Sequence, residues 1–210
     1  MPQDRFNIIK VETHPKTELI EKLRQVTMLK DRAVRPYAEC RIALERLPFT
    51  ELRPAQRYVL LGGLLKAKLI ADQLRDLGHD TMELDGYLSI WTDKEGGPFD
   101  LLPPMVETHR EANGFVNNIV CDGMHRLYAA RMEWRVPTVV RVQGLPEACP
   151  YYAYPLPGPE PWESVGILTD DSIPGDYLKK WHRIQDNKLL YRDFESAFRN
   201  VGGPRGGGAA

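Results

Sequence analysis

Cysteine is scarce in this chain of 210 residues: there are three, Cys40, Cys121 and Cys149, odd in number and far apart. Such a set gives no disulfide framework, and the reading is a reducing, cytoplasmic setting. No Cys-x-x-Cys or His-x-x-x-His spacing occurs, so no metal site is expected. No apolar run approaches the roughly 20 residues of a membrane span. The start, Met-Pro-Gln-Asp-Arg-Phe-Asn, lacks the apolar centre of a secretory leader, so none is expected. Charge of one sign is also missing: 28 Lys and Arg stand against 29 Asp and Glu, for a net charge of −1. That balance provides no general attraction to nucleic acid or to a membrane surface, and neither partner is expected. What is present, 42% hydrophobic and 27% charged residues, is the composition of a globular protein.

The most informative segment runs from Asp122 to Arg131. It follows an apolar run, Asn118-Ile119-Val120-Cys121, that reads as a buried strand. It opens a helix with Leu127, Ala130 and Met132 as its apolar positions. A strand that ends in Asp-Gly and passes directly into a helix leaves backbone N–H groups pointing outward at the positive end of the helix dipole, which suits an anion. His125 and Arg126 add side-chain donors in the first turn. Cations are normally unfavourable there, and a bound phosphate accounts for them. Arg131, one turn further on, reads as structural, and His109 as merely exposed.

Around this segment the periodicities predict a short strand at 6–9 and an amphipathic helix over 17–30, capped by Thr17, with Leu19, Ile20, Leu23 and Val26 as its stripe. That stripe suits core packing first and a homodimer contact second. A half-buried strand follows over 41–47, ended by Pro48. A long helix is expected from Pro54 to Leu77, weakened by Gly62-Gly63 and stopped by Gly78. Residues 79–100 read as a loop with one strand at 87–91. Strands at 103–107 and 115–121 flank a turn at 111–114, and the last strand is 136–142. Beyond Gly144 the segment 146–161 is rich in proline and tyrosine and must be extended. Residues 162–168 suit a short strand or turn, and 173–198 look helical in pieces. Tyr151, Tyr152 and Tyr154 suit an arm that clamps the core, ahead of a base-stacking role.

This order of elements, together with Asp122-Gly123-Met124-His125-Arg126, resembles the ParB/sulfiredoxin-like superfamily over about half the chain, from Arg41 to Gly144. The Asp-Gly-x-His-Arg form is closest to the free-serine-kinase-like branch. Sulfiredoxins carry Gly-Cys-His-Arg and partition ParB proteins Gly-Glu-Arg-Arg. The resemblance implies an α+β fold, a small mixed sheet with helices. The expected organisation is an N-terminal extension (1–40), a nucleotide-binding core (41–145), a C-terminal extension (146–200) and a disordered tail (201–210). It also implies a nucleotide, ATP, ADP or CTP with Mg2+, whose phosphates lie on Asp122, Gly123, Met124, His125 and Arg126. Asp122 would shape the turn or help place the Mg2+ through water.

Met124 stands where sulfiredoxins have their reactive cysteine, which removes that chemistry. Cys121 is expected to be buried and inert. The kinase-like pattern has an acid after the first strand near a Leu-Pro. Here Leu47-Pro48 is followed by Glu51, the candidate general base. The expected activity is a Mg-dependent, ATP- or ADP-dependent transfer of phosphate to a small hydroxyl-bearing metabolite. The alternatives are a nucleotide-binding switch or adaptor without turnover, and, third, a ParB-like protein acting at DNA.

Overall fold

The computed structural model describes residues 6–94, 96–111 and 113–201. In chain order the elements are β1 (Ile8–Pro15), α1 (Lys16–Leu23), β2 (Thr27–Met28), β3 (Arg41–Arg46), β4 (Leu52–Arg53), β5 (Tyr58–Leu60) and α2 (Leu61–Asp76). They continue with β6 (Gly86–Thr92), β7 (Phe99–Leu101), β8 (Met105–Arg110), β9 (Val116–Asp122), α3 (Met124–Met132), β10 (Thr138–Gln143), β11 (Gly166–Leu168) and β12 (Arg192–Asp193). The fold is α+β. Its centre is a five-stranded mixed sheet in the order β3-β10-β8-β9-β4, with β10–β8 and β9–β4 parallel and the other pairs antiparallel. A three-stranded antiparallel sheet, β1-β6-β7, lies beside it.

The period-two alternation of the central strands explains the layers. Val106, Val120 and Val139 face a core shared with Leu64 of α2, Met124 and Leu127 of α3, and Trp162. Their neighbours Met105, Val140 and Val142 face the opposite way, onto Leu19 and Leu23 of α1, Tyr37 and Phe198.

Several expected boundaries move, each for a tertiary reason. The helix expected over 17–30 starts at Lys16 after Pro15, with no side-chain cap, and stops at Leu23, because Thr27–Met28 pairs antiparallel with Arg192–Asp193. The helix expected from Pro54 starts only at Leu61. Leu52–Arg53 extends the central sheet beside Asn118–Ile119, and Tyr58–Leu60 pairs with Gly166–Leu168. Gly62 and Gly63 therefore sit in the first turn of a helix that continues to Asp76. Gly78 ends α2 with φ of +84°, as expected. The 79–100 stretch holds two strands rather than one. Residues 173–198 do not form helices. They contain short 3-10 turns and β12, and their aromatic residues are used as contacts with the core. The tail expected to be disordered lies outside the described residues from 202 onward.

The C-terminal segment is bound to the core through buried charge. Glu107 on β8 is fully buried, and the guanidinium of Arg192 donates to it twice, Nε to Oε1 at 2.8 Å and Nη2 to Oε2 at 3.0 Å. Tyr37 Oη donates to Oε1 at 2.7 Å, and His109 Nε2 lies 2.8 Å from Oε2. His109 is thus half-buried and engaged, not simply exposed as expected. Asp100, also fully buried, is held in the same way by the backbone N–H and guanidinium of Arg199 and by Ser89 Oγ.

Burial raises the cost of the Glu107 charge, but Arg192 and His109 outweigh it and hold the carboxyl down at about 2. The stability gained is present in full above the ordinary carboxyl value of 4.5 and is lost as pH falls through that value toward 2. Arg192→Met should cost about 3–5 kcal/mol in urea unfolding at pH 7, since it strands the carboxylate. The loss should shrink as pH falls toward and below 4.5, because burial without the arginine makes Glu107 take up a proton more readily.

Candidate functional site

Two strand-to-helix junctions meet at one place. Strand β9 passes through Gly123 into α3, and β5 passes without a break into α2. Neither helix is capped by a side chain. Gly123 has φ of +85°, and a Cβ there would lie 2.8 Å from Pro104 Cβ, so both conformation and space demand glycine. The turn carries the chain from the end of β9 directly into α3.

His125 joins the two junctions. Its Nε2 accepts a hydrogen bond from the Leu60 backbone N–H at 3.3 Å, which places the ring proton on Nδ1. The ring lies so close to α2 that a Cβ on Gly63 would come within 2.4 Å of Nε2. Gly63 is therefore glycine because His125 occupies its side-chain space, a requirement of packing and not of φ. Burial pushes the His125 pKa down to about 4, helped by the nearby charges of Lys179, Arg126 and Lys66 and opposed by Asp122. His125 is therefore a neutral donor at pH 7. It is not the cation that its place in the sequence suggested.

Arg126 is used differently again. Its guanidinium donates to the Leu102 carbonyl and lies 3.5 Å from Asp122, the last residue of β9. It latches the motif to the connection between β7 and β8. Met124 is buried in the core, so only its backbone faces the junction. Asp122, Gly123, His125 and Arg126 all lie at this strand-to-helix junction.

Glu51 is not brought there. It is exposed, beside Leu52, which pairs with Asn118. That places it roughly 15 Å along the strand from Asp122 at ~3.3 Å per residue. Cys121 is half-buried, and burial pushes its thiol far up, which fits an inert residue. Arg131 pairs with Glu163, a structural role.

The residues that sequence reasoning missed come from the C-terminal segment. Residues 166–183 lie along β5 and over the junction. Arg57 N–H donates to the Lys179 carbonyl at 2.9 Å, and the Arg57 guanidinium lies 4.0 Å from the Tyr177 ring and 4.9 Å from the Trp181 ring. Lys180 Nζ donates to Tyr152 Oη at 2.7 Å, and Tyr152 Oη donates to the Cys121 carbonyl at 3.3 Å, directly before Asp122. The expected tyrosine clamp is thus present in Tyr152. Burial lowers the Lys179 pKa, and burial with the charge of Lys179 brings Lys180 down to about 8. The charges that perturb the junction are mostly positive, with Asp122 the main carboxylate against them. Among the described residues no group of three or more His, Cys, Asp or Glu could hold a metal.

A separate cavity of about 680 Å³ opens at the other end of β8, lined by Arg110, Glu111, Arg141, Tyr151 and Arg183. Arg141 is paired there with Glu45 and Thr108, and Arg183 lies over Tyr151, so these groups are already partly engaged.

Imidazole 15N NMR should find His125 as the Nδ1–H tautomer at pH 7, with a titration midpoint about 4. The stability carried by the neutral ring is present above the ordinary histidine value of 6.5 and is lost as pH falls through 4. Gly63→Ala should expel the ring, cost about 1–3 kcal/mol and raise the midpoint toward 6.5. An unchanged midpoint in that variant would contradict the packing argument.

Of the comparisons with known proteins, one gives a match: the family model described as ParB CE domain aligns with residues 18–166, well over half of the chain. No curated protein and no solved structure matches. The matched span holds both junctions and the whole Asp122–Arg126 motif, and it ends where the segment carrying Lys179 and Lys180 begins. On that coverage the chain belongs to the ParB CE domain family.

Proposed function

We propose that the paired junctions bind the phosphates of a nucleotide, ATP, ADP or CTP. The observation that carries this reading is the surplus of positive charge around two helix N-termini that no side chain caps. The first turns of α2 and α3 offer backbone N–H groups, and His125 offers Nδ1–H. The cost of leaving such donors without an acceptor favours an anion there. A Mg2+ ion fits this place only as a passenger on the phosphates, steadied by Asp122, because the described residues build no cage of their own.

Transfer of the terminal phosphate to a small hydroxyl-bearing metabolite is the further reading, and the placement of one side chain favours it. Asp122, about one-third exposed, stands in the junction where a carboxylate would orient an acceptor hydroxyl. In this scheme Asp122 takes the part that the sequence assigned to Glu51. A switch without turnover uses the same cradle, and the two differ only in whether product forms.

The test is thermal unfolding and calorimetry with a nucleotide panel plus Mg2+. A ligand at 100 times its Kd stabilises by roughly 2.7 kcal/mol, or about 5–10 °C in Tm for a chain of this size. His125→Ala should abolish most of that shift. Chromatography of mixtures with hydroxy amino acids and sugars then separates transfer from binding alone. Absence of stabilisation by every nucleotide would defeat the reading, and a salt-sensitive shift of duplex DNA in its place would point to a DNA-associated role.

A further inference from the structure

The chemistry of the motif leaves one part of an anion site unfilled. His125 is neutral, and Arg126 is turned inward to the Leu102 carbonyl and Asp122, so the motif itself presents little free positive charge. The charge comes instead from a segment beyond the family-matched residues. Lys179 and Lys180 are adjacent in sequence, half-buried, and close enough to the motif that Lys179 perturbs His125 and Asp122 perturbs Lys180.

Their placement is tightly specified. Strand β11 runs parallel to β5, the strand that leads into α2. Arg57 binds the Lys179 and Leu178 carbonyls and is sandwiched by Tyr177 and Trp181. Tyr154 N–H donates to the Trp181 carbonyl and Arg183 N–H to the Tyr152 carbonyl, so the stretch from 179 to 183 is held from both sides. Half-burying two neighbouring ammonium groups is unfavourable without counter-charge. Among the described residues, Asp170 acts on Lys179 and Asp122 on Lys180 as opposing carboxylates. The Lys180 ammonium is held by the Tyr152 hydroxyl at 2.7 Å, and that of Lys179 lies 5.8 Å from the centre of the Tyr58 ring; neither contact is anionic.

We propose that Lys179 and Lys180 are phosphate-binding residues of the nucleotide site, supplied by the C-terminal segment and closing over the phosphates held at the α2 and α3 junctions. This rests on the nucleotide reading above and extends it: the ligand class is a polyphosphate, di- or triphosphate, whose outer phosphates lie beyond the reach of the motif backbone. Lys180 already reaches the motif strand through Tyr152 and the Cys121 carbonyl, and Lys179 approaches from the β5 side. A monophosphate filling only the N–H cradle gains little from them. A triphosphate needs both.

The experiment uses the full chain and isothermal calorimetry with ATP, CTP and inorganic tripolyphosphate, and with AMP and CMP as short probes. Lys179→Gln and Lys180→Gln should each weaken triphosphate binding by about tenfold or more, the loss of a charge-assisted contact, and monophosphate binding by much less. Lys180→Arg should restore much of the affinity. Competitive acetylation of the wild-type protein near pH 7.5, read by mass spectrometry, gives a measurement independent of variant folding. Lys180 should label faster than the exposed Lys30 and Lys188, in keeping with its lowered pKa of about 8. ATP or tripolyphosphate should protect Lys179 and Lys180 while leaving Lys30 and Lys188 unchanged. Triphosphate binding that is as tight in both glutamine variants, or labelling at 179 and 180 that ignores a bound triphosphate, overturns the lysine assignment and leaves the nucleotide reading standing. A wild-type chain that binds none of these probes overturns both.

Discussion

A fully buried carboxylate, Glu107, sits in the middle of the central sheet on a face otherwise made of Met105, Val140 and Val142. Removing such a charge from water costs several kcal/mol, and only a partner with matching geometry offsets it. That partner is Arg192, which lies far away in the sequence and beyond the family-matched span. Asp100 and Arg199 repeat the arrangement at the neighbouring three-stranded sheet. Two buried acids in the core thus call for two arginines from the C-terminal segment. The path of the chain between residues 146 and 201 follows from that demand as much as from its own residues.

The same path carries the segment over the junction of β5, β9 and the two helices. Along the way Trp162 donates to the Leu52 carbonyl, and Tyr128 donates to the Val165 carbonyl. Each role at the junction is set by its surroundings and not by residue type. The histidine is neutral because it is buried against Gly63. The arginine is a latch because the Leu102 carbonyl and Asp122 are within its reach. The two lysines beside the junction are half-buried, on a backbone held by Arg57 and Tyr152.

Much of the central sheet was legible in the sequence because its signals are local. The alternation in 41–46, the apolar run ending at Cys121, the Asp-Gly turn and the Gly78 stop each depend on a few adjacent residues. The helix expected from Pro54 begins late, at Leu61, because Tyr58–Leu60 is a strand only by virtue of its partner at Gly166–Leu168. The 173–198 stretch has aromatic residues at roughly helical spacing, yet Tyr177 and Trp181 are spaced to hold Arg57, and no periodicity argument contains that contact. At the site, Asp122 to Arg126 stood out as one stretch. Glu51 was assigned by analogy of position, and the parallel register of β4 carries it away from the motif. Lys179-Lys180 carried no signal in the sequence, and its place comes from long-range contacts with Arg57 and Tyr152.

The distance along the chain between Glu107 and Arg192, 85 residues, has a consequence for how the molecule comes into being. On a ribosome adding about 5–20 residues per second, β8 emerges several seconds before its arginine exists. Until then the carboxylate must stay wetted, or protonated, and that face of the sheet cannot seal. Closure of that face therefore waits on residue 192.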